Sequence, residues 1–112
     1  MREESIEQKE AQMRKGLLEF CILLAVSKDR VYSSDILKKL KDADLLVVEG
    51  TLYPLLSRLK QQGLVDYDWE ESPSGPPRKY YTLTKRGKDM LILLEKTWTA
   101  LRSSVMSLTR SS

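Results

Sequence analysis

The stretch GTLYPLLSRLKQQG, residues 50–63, reads as a short helix with a firm start and stop, and it runs straight into LVDYDWE. At about 100° per residue, Leu52, Leu55, Leu56 and Leu59 gather on one core-facing stripe. Pro54 reads as part of the opening turn, where a missing N–H costs least, and Gly63 as the stop. Val65, Tyr67 and Trp69 then alternate with Asp66, Asp68 and Glu70, the two-residue period of a half-buried strand. ESPSGPP reads as a turn and RKYYTL as the returning strand.

The rest of the chain fits around this unit. Residues from about 3 to 27 read as one long helix, apolar nearly all round in its second half and therefore central. Tyr32-Ser33-Ser34-Asp35 reads as a turn with an N-cap serine, leading into a helix through about Lys41 with Ile36, Leu37 and Leu40 inward. Leu45, Leu46 and Val47 form a connector, and Thr84 caps a last helix running to about Leu108. The expected class is α+β, mostly helical: a winged helix-turn-helix over residues 1–83 with a long C-terminal dimerisation helix over 84–112.

Several function classes recede. The chain has no histidine, which removes the commonest general base and metal ligand. The acid pairs Asp66/Asp68 and Glu70/Glu71 fall on an exposed strand face, with no nucleophile–base pair and no phosphate-cradling glycine loop. No enzyme activity, metal or cofactor is expected. The longest apolar run, GLLEFCILLAV at 16–26, contains Glu19 and is too short to cross a bilayer. No secretory signal is visible, and the lone Cys21 reads as a packed thiol in a reducing cytoplasm.

Charge is uneven although the net value is only +3. Residues 72–88 hold five bases (Arg78, Lys79, Lys85, Arg86, Lys88) and no acid. In a winged helix the third short helix enters the major groove and the wing reaches the backbone or minor groove. Thr51, Tyr53, Pro54, Ser57 and Arg58 then face double-stranded DNA, with Ser34 from the preceding helix and Gly75, Pro76, Arg78 and Lys79 from the wing. The same fold serving as a protein-interaction module without specific DNA binding is the alternative.

These residues resemble the PadR transcriptional regulators. EGTLYPLLSRL at 49–59, then GLV, Trp69 and GPPRKYYTLT at 75–84 carry the resemblance, which runs from about Lys15 to Leu101. The short C-terminal segment is similar to the compact subfamily. Ser33-Ser34 and Val48 depart from the Gly-Tyr and capping serine of many members. Membership implies a cytoplasmic, dimeric repressor released from its operator by a small molecule or another cue.

The last helix argues independently for a homodimer. Leu91, Leu94, Trp98, Leu101, Val105 and Leu108 recur at heptad spacing and need cover, either from a second copy or from the chain's own first helix. Trp98 admits two readings. It is interface packing, or, as the resemblance implies, it stacks on a small aromatic effector in a space lined by Met13, Leu94 and Leu101.

Overall fold

The computed structural model describes residues 5–45 and 47–111. The chain order is α1 (Ile6–Lys15), α2 (Leu18–Val26), β1 (Val31–Tyr32), α3 (Ser33–Asp42), α4 (Glu49–Gln61), β2 (Val65–Ser72), β3 (Gly75–Leu83) and α5 (Lys85–Ser111). Leu46 of the expected connector lies outside the described residues. The helix-turn-helix followed by a hairpin is the winged arrangement expected from the sequence.

The single first helix expected over 3–27 is instead two. α1 buries none of its residues, whereas α2 buries Ile22, Leu23, Ala25 and Val26. Between them Leu17 N–H donates to the Arg14 carbonyl (2.9 Å), a three-residue step that tightens the turn at Gly16. Glycine is the poorest helix former here after proline, so the polar and apolar halves part at that residue.

α2, α3 and α4 enclose the core through Ile22, Leu23, Val26, Ile36, Leu40, Leu52, Leu56 and Leu59. A three-stranded antiparallel sheet, in the order β1-β3-β2, closes one side with Val31, Val65, Tyr81 and Leu83. Both helix stops are built alike. After α4, Gly63 (φ 76°) lets Leu64 N–H reach the Leu59 carbonyl and Gly63 N–H the Lys60 carbonyl, each at 3.0 Å. After α3, Asp44 (φ 63°) does the same without being glycine.

Three local expectations change. The N-cap of α3 is Tyr32, not a serine, because β1 passes into the helix without a spare residue; Asp35 Oδ2 accepts from Tyr32 N–H at 3.1 Å. Pro54 is the sixth residue of α4 rather than part of its opening turn, so the Gly50 carbonyl has no amide four residues on. Gly50 itself is exposed. The wing turn is only Pro73-Ser74, since β2 and β3 pair as far as Ser72 and Gly75. Pro76 and Pro77 sit in a strand because they lie opposite an irregularity between Glu70 and Ser72, where β3 has no second neighbour. Burial fades along β2, from Val65 to Tyr67 to Trp69, which is 62% exposed rather than half-buried.

Thr84 caps α5 as expected: its Oγ accepts from Gly87 N–H (2.9 Å), and its hydroxyl donates to the Gly63 carbonyl (2.6 Å). Only the first turns of α5 join the body. Leu91, expected in the seam, is buried in the chain's own core, with Met90 and Leu94 packed beside it. Beyond them Trp98, Leu101, Val105 and Leu108 are exposed.

Candidate nucleic-acid interface

The exposed side of α4 carries Gly50, Thr51, Tyr53, Pro54, Ser57, Arg58 and Gln61. Tyr53 and Arg58 are five residues apart, hence about 140° apart around the helix, and they serve different flanks. Tyr53 leans toward α3, its Oη 3.1 Å from Ser33 Oγ. Arg58 leans toward α2, its Nη1 3.6 Å from Glu19 Oε1. Gly50, Pro54, Ser57 and Gln61 lie between, without a charge.

A cleft of about 390 Å³ opens where α4, the start of α3 and the wing meet. It gathers Ser34, Tyr53, Arg78 and Lys79 from the predicted set, and adds Tyr32, Ser33, Trp69, Pro77 and Tyr81. Thr51, Pro54, Ser57, Arg58, Gly75 and Pro76 stand outside it. Arg78 and Lys79 alternate across β3, so Arg78 lies over the Tyr32 ring (4.9 Å) and Lys79 over Tyr67 (4.3 Å) and Trp69 (5.2 Å). An aromatic face positions a cation without neutralising it. Arg30 differs, being ion-paired with Glu70 while covering Tyr80. Burial, then the neighbouring Tyr53 and Tyr67, push the Tyr81 phenol upward, so it stays a neutral wall of the cleft.

Ser33 and Trp69 escaped the sequence reading for a simple reason. The start of α3 reads as a cap and β2 as a half-buried strand until their meeting across the cleft is known. The first turn of α3 carries a carboxylate of its own, Asp35, which accepts from Tyr32 N–H.

Two titratable groups outside the cleft are shifted. Asp66 takes Tyr67 N–H (2.8 Å) and pairs with Lys60 (3.2 Å), and both hold its carboxyl below the usual range. An exposed carboxylate kept ionised in this way is a poor proton donor. Burial pushes the Cys21 thiol up, away from thiolate chemistry. Among the described residues no helix is long and apolar enough to cross a membrane. Trp98 lines a shallow groove along α5 with Arg102 and Met106, while Met13, exposed on α1, does not line it within one protomer.

Comparison with known proteins gives a consistent result. The profile of the transcriptional regulator PadR-like family matches residues 22–92. A PadR-like transcription factor from Bacteroides fragilis is 54% identical, with 89% of this chain and 97% of that one covered and a TM-score of 0.77. A PadR family regulator from Eggerthella lenta is 31% identical over 96% and 94%, with a TM-score of 0.86. An uncharacterized protein of Lysinibacillus sphaericus is 30% identical, covering 81% of this chain and 86% of its own length.

Proposed function

The chain belongs to the PadR-like family of transcriptional regulators, and we propose that it is a ligand-responsive cytoplasmic repressor that binds a palindromic operator as a homodimer. The cleft carries this reading. Two cations held on rings rather than against carboxylates, beside Tyr53, Ser34 and the start of α3, suit a phosphate run flanking a major groove filled by α4. Thr51, Pro54, Ser57 and Arg58 face the groove from α4, and Gly75 and Pro76 bring the wing tip to the backbone. Residues 1–83 read DNA, and 84–112 pair the protomers.

Lys79→Ala weakens binding to operator and unrelated duplex alike. It reduces the salt slope by about 0.9 per protomer, since each lost phosphate contact removes about that much. Arg58→Ala costs about 1–3 kcal/mol if its fork meets a base edge. Fluorescence anisotropy across a salt series checks both. Binding to genomic fragments without salt dependence, undisturbed by both substitutions, points instead to a protein-interaction module.

The effector stacks on Trp98, which is 40% exposed on α5 between Leu94 and Leu101, with Met13 of α1 closing the space in the dimer. A flat aromatic compound gains apolar burial there, and it releases DNA only by preferring the subunit spacing that DNA does not accept. In a Trp69→Phe background, phenolic and cationic aromatics quench Trp98 and lower operator affinity, and Trp98→Ala removes both effects. Quenching that leaves operator affinity untouched makes Trp98 interface packing only.

A further inference from the structure

Arg58 differs from the cations of the cleft in facing an acid, and that acid is poorly satisfied. Glu19 is the second residue of α2, with its side chain 36% exposed. Its Oε1 is shielded from solvent and has no hydrogen-bond partner among the described residues. Arg58 Nη1 lies 3.6 Å away, close enough for an ion pair and too far for a hydrogen bond. A carboxylate oxygen cut off from water and short of a donor is destabilising, so it draws on the nearest cation. The guanidinium presents one edge to Glu19. Its fork has a second edge, and Arg58 as a whole remains well exposed on the flank of α4.

We propose that Glu19 is a specificity-determining residue: it restrains Arg58, so that this guanidinium contributes fully only on a duplex whose groups meet its free edge. The inference rests on α4 being the DNA-recognition helix. On an unrelated duplex, contacts to phosphate are loose and depend on net charge, which Glu19 partly cancels. On the operator, a guanidinium already held in place loses less freedom on binding, which offsets the reduced charge. Glu19 thereby lowers non-specific affinity more than specific affinity.

The test uses the full chain, a duplex enriched by the wild-type protein from a random library, and its shuffled counterpart. Glu19→Gln keeps shape and removes charge. It should tighten binding to the shuffled duplex about two- to fivefold, the range of an exposed ion pair. It should also steepen the salt slope by up to about 0.9 per protomer, with a smaller change on the enriched duplex. Glu19→Asp keeps a negative charge at the start of α2 but withdraws it from Arg58, and should shift the same ratio in the same direction. In an Arg58→Ala background neither change at Glu19 should alter the ratio. The proposal is overturned if Glu19→Gln and Glu19→Asp leave the ratio unchanged, or if they shift it equally without Arg58. If Arg58→Ala itself binds both duplexes as wild type does, the proposal also falls, because Arg58 then does not reach DNA. Lys79→Ala still tests the parent reading separately.

Discussion

Gly87→Ala is expected to destabilise the fold more than any other single-methyl change at a glycine. A Cβ built on Gly87 would lie 1.9 Å from the Leu64 carbonyl oxygen and 2.9 Å from its carbon, and backbone cannot swing aside as a side chain can. That carbonyl also accepts from Thr84 N–H at 3.1 Å, in the joint where the end of α4, the start of β2 and the cap of α5 meet. Relieving the clash means lifting the first turn of α5 away from Leu64 and drawing Leu91 out of the core. Overpacking of this kind costs at least the upper part of ~1–3 kcal/mol. A fall in Tm of about 10 °C follows for a domain of this size. Gly16→Ala is the control: its backbone is right-handed helical (φ −68°) and nothing lies within 4 Å of the added methyl. That variant should be neutral or slightly stabilised. Equal Tm values for the two, by thermal circular dichroism at matched concentration, would show that the α4–α5 joint tolerates separation.

Gly87 illustrates what a sequence conceals. In KRGKDM a glycine in the first turn of a helix looks like a poor helix former, and nothing nearby marks Leu64, which is distant in the chain, as its neighbour. Local signals were readable where the chemistry is local. The stop at Gly63, the cap at Thr84 and the alternation from Val65 depend on residues within a few positions. Local signals mislead where two of them compete. Pro54 suggested an opening turn, but Glu49 and Gly50 were free to extend α4 backward over exposed ground. The ESPSGPP run suggested a broad turn, yet prolines are acceptable in a hairpin arm that has only one neighbour and an irregular register. The site divided in the same way. The outward faces of α4 and the basic wing followed from periodicity and charge, whereas the Tyr53–Ser33 contact and the Arg58–Glu19 pair join segments far apart in the chain. An acid in an apolar run, as Glu19 is, was the one available hint that something must meet it.

The effect expected of Leu101→Asp is larger still, because it acts on assembly and on DNA binding together. Past Leu94, α5 presents Trp98, Leu101, Val105 and Leu108 at spacings of three and four residues, with exposure of 52% at Leu101 and 71% at Leu108. Single exposed apolar residues are ordinary, whereas a continuous stripe along one helix suits the interface proposed for it. The chain's own first helix does not supply the cover: α1 buries none of its residues and leaves Ile6 and Met13 exposed. A second copy is the occupant the proposal requires, with two aspartates then placed in one seam by the two-fold axis. Unpaired carboxylates in a dry interface weaken it by several kcal/mol, so the dissociation constant of the dimer should rise about 100-fold or more. Since Leu101 lies outside the core, the winged unit should keep its helical circular dichroism. Operator affinity should fall with the dimer, because each half-site is then bound without the effective concentration the partner provides. Lys79→Ala, by contrast, should weaken DNA binding while sedimenting as wild type does. A wild-type chain that sediments as a monomer at micromolar concentration, or a Leu101→Asp dimer as tight as wild type, removes the seam and with it the basis for reading two half-sites at once.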